Sequence, residues 1–197
     1  MTHTEKTDWE SKYQNKDTQW DKGEPSPGLV DFLLNEKLPD GGTVLVPGCG
    51  FGHDVRAWAR AGFDTLGLDI APTAIIRARE LTPEGITAQF SKGDFLKNDH
   101  PTEYDWLFEH TLFCAIQPEH RADYVRAAAR SVRKGGCLLA VHYIIPDEDG
   151  PPYGTTREEV CQRFESEFDL LKDWIPRSYS NRTGLERMFY WRKKKNQ

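Results

Sequence analysis

Two stretches of the chain have residue types and spacing suited to chemistry. The first is Pro47-Gly48-Cys49-Gly50-Phe51-Gly52, at the end of the apolar run Val44-Leu45-Val46. Glycine has no Cβ, so the backbone can turn sharply there and a ligand can approach it closely. The second is Asp69, which closes the run Thr65-Leu66-Gly67-Leu68 and stands 21 positions after Gly48. A carboxylate at that distance from a glycine turn can accept hydrogen bonds from two ribose hydroxyls.

The glycine spacing separates two kinds of ligand. A dinucleotide needs GxGxxG, whose third glycine lets a helix pack close under the pyrophosphate. Here the third glycine comes one residue early, at Gly52, and His53 holds the required position. GxGxG instead suits S-adenosylmethionine, a nucleoside with a charged amino-acid tail and no pyrophosphate. A nicotinamide-dependent reductase and a non-catalytic S-adenosylmethionine-binding module stay open as alternatives. Cys49 reads as a small turn residue facing the core, since no base adjoins it.

Further chemistry-bearing residues follow later strands. Asp94-Phe95 could meet an adenine amino group and pack an aromatic ring on the base. Glu109-His110 lies at the level expected for a methyl donor's sulfonium. Trp9, Tyr13 and Trp20 place three large aromatics in a polar N-terminal stretch that ends in GEPSPG. That composition suggests a lid over residues 1–28, ahead of a single domain over 29–197.

The elements that position these residues show in the periodicity. A short helix is expected around Leu29–Leu38, a strand at Val44–Val46 and a helix over His53–Ala61. A strand at Thr65–Asp69 precedes a helix from Pro72 to Leu81. Strands follow at Ile86–Phe90 and Trp106–Phe108. Val125, Ala128, Ala129 and Val132 keep helical spacing, with Gly135-Gly136 read as the stop. Cys137–Ile145 reads as a strand, and a helix is expected around Val160, Phe164 and Phe168. Two late strands, near Leu170–Ile175 and Met188–Trp191, suit an antiparallel hairpin. Strands alternating with helices give an α/β domain on a mostly parallel sheet.

Composition narrows the partners. The 197 residues are 38% hydrophobic and 12% aromatic, which argues against disorder. A net charge of −5 argues against a nucleic-acid partner. The basic run Arg192–Lys195 reads as a solvated tail. The longest apolar stretch, Cys137–Ile145, is interrupted by His142 and falls far short of the ~20 residues a spanning helix needs, and the N-terminus lacks a signal-peptide core. The four cysteines, at 49, 114, 137 and 161, are too far apart for a CxxC pair, and no spacing suggests a metal. These features point to a cytoplasmic monomer with reduced cysteines, acting on a small molecule.

Taken together, VLVPGCGFGHD, GLDI, GDF, YDWLFEHTLFCAIQP, DGPPYG and RTGLERM resemble the thiopurine S-methyltransferase superfamily. The nearest resemblance is to its thiol and halide methyltransferase branch, the plant "harmless to ozone layer" type and its microbial relatives. The resemblance implies a class I S-adenosylmethionine-dependent methyltransferase (Rossmann-like) fold with a seven-stranded sheet. It implies that Trp9, Tyr13 and Trp20 close over the cofactor, and that Gly48 and Gly50 form its loop. It makes Asp69 the ribose acid, Asp94-Phe95 the adenine-side pair and His110 a cofactor-side residue where the family usually has an aromatic, often Tyr. Tyr153 matches a tyrosine near the acceptor pocket. The implied reaction is in-line methyl transfer to a small soft nucleophile: a thiol, bisulfide, thiocyanate or halide. A larger aromatic thiol such as a thiopurine is the alternative acceptor.

Overall fold

A computed structural model describes residues 7–97, 102–147 and 149–195. Its centre is a seven-stranded sheet in which side chains alternate between two faces. The strands are β1 (Thr43–Pro47), β2 (Asp64–Asp69), β3 (Ala88–Lys92), β4 (Tyr104–His110), β5 (Val132–Tyr143), β6 (Phe168–Trp174) and β7 (Glu186–Lys193). Their order is β3-β2-β1-β4-β5-β7-β6. β3, β2, β1, β4 and β5 run parallel, and β7 pairs antiparallel with both β5 and β6.

Among the described residues the α-helices are α1 (Trp9–Gln14), α2 (Pro27–Asn35), α3 (His53–Arg60), α4 (Pro72–Glu80), α5 (Arg121–Ser131) and α6 (Arg157–Phe164). Because successive side chains on a strand point to opposite faces, the central strands feed two cores. Val44, Val46, Trp106, Phe108, Leu139 and Val141 meet Leu29 and Phe32 of α2, Val55 and Trp58 of α3, and Ile75 of α4. Leu45, Leu107, Leu138 and Ala140 meet Tyr124 and Ala128 of α5 and Phe164 of α6 on the other face. Burial of the sheet on both faces explains the unbroken apolar runs in the sequence.

The chain leaves β1 toward β2 and β3, then crosses back to β4 on the other side of β1. The carboxyl edge at β1 and β4 is therefore the topological switch point, where open α/β sheets bind ligands. The glycine loop after β1 opens there.

Three expectations need correction. β3 covers Ala88–Lys92 rather than 86–90. Helix α5 ends at Ser131, and β5 begins at Val132 and runs through Gly135-Gly136. The glycines there serve strand packing, because a Cβ on Gly136 would stand 2.8 Å from the Asp105 carbonyl of β4. Phe168 opens β6 instead of continuing α6. The late antiparallel hairpin is present, with the earlier strand, β6, at the edge and β7 inside. Its connection, residues 175–185, carries a short turn at Ser180–Arg182 to the carboxyl edge of the sheet.

Candidate active site

The glycine loop is bent around one carboxylate. Gly48, Gly50 and Gly52 have φ values of 62°, 51° and 76°, in the left-handed region that favours glycine. This bend lets the Gly50 amide donate to Asp69 Oδ2 at 2.9 Å, and the Ala71 amide donates to Oδ1 at 2.9 Å. Asp69 is only 6% exposed. Burial raises its pKa, and the Ala71 and Gly50 amides offset that only in part. Each carboxylate oxygen keeps a further lone pair, so two hydroxyl donors would complete the shell. A Cβ on Gly50 would stand 3.0 Å from the Tyr13 hydroxyl, which makes the bend a cradle that only glycine leaves open. These features fit a ribose-bearing cofactor. Burial pushes the Cys49 thiol well above its usual range, so it is no nucleophile at neutral pH.

Above this loop lies α1. Asp8 caps it, accepting from the Ser11 amide at 3.0 Å. Glu10 docks it on the start of α4, accepting from the Thr73 amide at 3.0 Å and from Thr73 Oγ1 at 2.6 Å. The rings of Trp9 and Tyr13 stand edge-on to Trp20, at 5.3 and 5.6 Å, and Tyr13 also packs 5.3 Å from Phe51 of the glycine loop. Trp20 Nε1 donates to the Tyr13 hydroxyl at 3.3 Å. Burial and the nearby Asp69 raise the Tyr13 pKa, so the phenol stays protonated.

His110, at the end of β4, is the centre of a buried ionic group. Its Nδ1 is 3.1 Å from Asp54 Oδ2, its Nε2 is 3.5 Å from Glu186 Oε1, and its ring stacks on Tyr179 at 5.9 Å. Burial alone would lower its pKa, but Asp54 and Glu186 outweigh that and raise it to about 9. His110 is therefore an imidazolium at neutral pH. Arg182 completes the group at 3.1 Å from Glu186 Oε1. The group also ties down the N-terminal segment. Arg182 donates to the Trp20 carbonyl at 3.3 Å, Tyr179 to the Glu24 carbonyl at 2.8 Å, and the Ser26 amide to Asp54 at 2.7 Å.

The remaining expected residues lie on the turns that follow β3 and β5. Asp94 follows β3 and accepts from the Leu96 amide at 3.1 Å. The Phe95 ring packs 5.5 Å from Tyr124 in the α5-side core. Tyr153 belongs to a second group: its amide donates to the Cys114 carbonyl at 2.7 Å, and its own carbonyl accepts from buried Arg121 at 3.3 Å. Sequence reasoning missed the roles of Asp54, Tyr179, Arg182 and Glu186. For Asp54, Arg182 and Glu186 the signal was charge placed at the rims of apolar runs, in GHD and RTGLERM; Tyr179 had none.

Comparison with known proteins decides between the ligand classes that a glycine turn and an acid could serve. The family model described as thiopurine S-methyltransferase matches residues 4–173. The chain belongs to the thiopurine S-methyltransferase family. It is an S-adenosylmethionine-dependent methyltransferase. Thiocyanate methyltransferase 1 of Arabidopsis thaliana is 34% identical over 194 residues, covering 94% of this chain and 84% of that protein. Its Brassica oleracea counterpart is 33% identical over 192 residues with the same coverage. A solved structure from work on conversion of a disulfide bond into a thioacetal group during echinomycin biosynthesis superposes with a TM-score of 0.75. It is 22% identical and covers 90% of this chain and 86% of that one. Magnesium protoporphyrin IX methyltransferase from Synechocystis PCC 6803 with bound SAM gives 0.69 at 15% identity, covering 96% and 86%. The fold of this methyltransferase is thus shared with enzymes whose sequences have drifted far from it.

Two outcomes follow from the site. Asp69→Ala should weaken S-adenosylmethionine binding by about tenfold or more, since charged hydrogen bonds are worth roughly 1.5–3 kcal/mol each. Calorimetry showing unchanged affinity in the folded variant would remove Asp69 from the cofactor site. For His110, the folded-state pKa of about 9 exceeds the ordinary value of 6.5. Its contribution to stability is then complete below pH 6.5 and lost as pH rises through about 9. Urea unfolding should show the stability gap between the parent and His110→Gln closing over that interval, and a gap independent of pH would contradict the ionic reading.

Proposed function

We propose that this methyltransferase acts on a small soft nucleophile, such as a thiol, bisulfide, thiocyanate or halide, by in-line displacement. The observation that carries the reading is the relationship to two thiocyanate methyltransferases across 94% of the chain. When bound, S-adenosylmethionine supplies a methyl group made electrophilic by its sulfonium.

What the chain's own residues do is bind, orient and exclude water. Asp69 and the Gly50 bend hold the ribose end, with Trp9, Tyr13 and Trp20 as a lid drawn from residues 1–28; residues 1–6 of that segment lie outside the described residues. The lid reading rests on α1, whose docking contacts are the Glu10–Thr73 hydrogen bonds and the ring cluster with Trp20 and Phe51. A six-residue helix has little stability of its own, so α1 depends on Glu10, Thr73 and the ring cluster for its place.

The protonation states support an acceptor that arrives already ionised. His110 enters protonated and is engaged by two carboxylates, so it is no general base at neutral pH. Thiocyanate, halides and bisulfide need none. Holding donor and acceptor at attack distance in a water-poor site supplies the rest.

Tyr153 belongs to the acceptor side in this reading. It is buried, and its amide registers it on the Phe113–Ala115 turn that follows β4. A phenol there can donate to an anion while its ring excludes water.

The reading is tested with iodide, thiocyanate, bisulfide, small thiols, thiophenol and a thiopurine, scored by formation of S-adenosylhomocysteine. Turnover should be highest among the small soft nucleophiles, and preference for the thiopurine would overturn the acceptor assignment. Tyr153→Phe should change acceptor kinetics, or the ranking of halide against thiol, and leave cofactor affinity within about twofold. Kinetics identical to the parent for every acceptor would take Tyr153 off the acceptor side.

A further inference from the structure

Among the described residues, Glu109 and His142 form a buried titratable pair that the reaction above does not use. Glu109 of β4 and His142 of β5 both have fully buried side chains, and Glu109 Oε1 is 3.1 Å from His142 Nδ1. Among the described residues neither atom has a hydrogen-bond partner of good geometry. Leaving a buried carboxylate oxygen and an imidazole nitrogen both unpaired is costly.

The other oxygen of Glu109 shapes the chain. Glu109 Oε2 accepts from the amides of Leu112 at 2.8 Å and Phe113 at 3.3 Å, turning the backbone just after β4. Thr111, inside this turn, has a φ of 58°, which a β-branched residue adopts only when its surroundings impose it. The turn faces two ways. Leu112 lies so close to the glycine loop that a Cβ on Gly48 would stand 2.8 Å from Leu112 Cδ1. On the other side, the Cys114 carbonyl accepts from the Tyr153 amide. The Phe113 ring stands edge-on to His142 at 4.9 Å, with the Arg121 guanidinium 4.8 Å from its centroid. Arg121 also donates to the carbonyls of Tyr153 and Gly154. One carboxylate thus ties the turn that lies between the glycine loop and the Tyr153 loop.

We propose that Glu109, buried beside His142 and holding the turn after β4 through the Leu112 and Phe113 amides, is the positioning residue that sets acceptor geometry in this enzyme. The inference rests on the methyl-transfer reading of the site and deepens it. The titratable and charged groups around the pair are Cys114 in the turn, Arg121 and Tyr124 of α5, Glu159 of α6 and His110 next in β4. Burial pushes Glu109 up to about 7, against the Leu112 and Phe113 amides that lower it. Burial, then Arg121, pushes His142 down to about 3. The proton that arrives on acidification therefore goes to the carboxyl group. It weakens the two charge-assisted amide bonds that hold the turn.

The experiment uses iodide, which is anionic at every pH examined, so any acid limb belongs to the protein. In the parent, kcat/KM for iodide should fall on acidification with a midpoint near pH 7. Glu109→Gln imitates the protonated acid. It should lose that limb and raise the iodide KM about tenfold, with the cofactor Kd from calorimetry within about threefold. A pH profile unchanged by Glu109→Gln, or a cofactor Kd that weakens in step with KM, would overturn the proposal. A second readout needs no turnover, so it separates failure here from failure of the methyl-transfer reading. Carboxyl carbon NMR should titrate Glu109 with a midpoint near pH 7 in the parent. His142→Leu removes the partner and should move that midpoint upward. A midpoint below pH 5, or one indifferent to His142→Leu, would also overturn it.

Discussion

A buried carboxylate needs donors, and much of the cofactor edge is arranged to supply them to Asp69. Two come from the backbone. The Gly50 amide reaches it only because the loop bends through three glycines, and the Ala71 amide reaches it because α4 starts directly after β2. These two do not fully offset desolvation, since the carboxyl group still sits above its usual range. The shortfall is the physical basis of binding: a site that lacks donors for a buried anion favours a ligand that carries them. In the proposed reading that ligand is the cofactor's nucleoside.

Charge balance sets the second constraint. Asp54 and Glu186 lie on different elements, α3 and β7, and would repel one another across the site edge without His110 and Arg182 between them. The antiparallel hairpin explains how Glu186 gets there. Placing β7 inside the sheet, next to β5, brings the 175–185 connection to the carboxyl edge. Tyr179 and Arg182 then meet the backbone of residues 20–24. The late strands therefore fasten the N-terminal segment as well as extending the sheet.

Much of this was legible from residue patterns. Alternating apolar runs gave the parallel strands, because both faces of the sheet are buried. The glycine loop and Asp69 stood out because few residue types tolerate that geometry. The end of α5 was misread, since Gly135-Gly136 resembles a helix stop. Those glycines instead let β5 pass close to Asp105, at the point where the β4–β5 register shifts. The ionic group was not legible, because Asp54 and Glu186 are 132 positions apart in the sequence and meet only through the sheet order. The pairing of Glu109 with His142 was hidden for the same reason: it joins neighbouring strands whose register a single sequence does not show.

In the proposed reading the cofactor site is completed when residues 7–26 dock over Asp69, and limited proteolysis tests this most directly. α1 is short and held by one carboxylate–threonine contact and a cluster of rings. A nucleoside seated on Asp69 would add to that hold from beneath. Cleavage within residues 7–25 should therefore be fast in the free protein and strongly slowed by S-adenosylhomocysteine, with cuts elsewhere unaffected. Equal cleavage rates with and without the ligand, under conditions where calorimetry shows it bound, would contradict the account and make α1 a fixed cover.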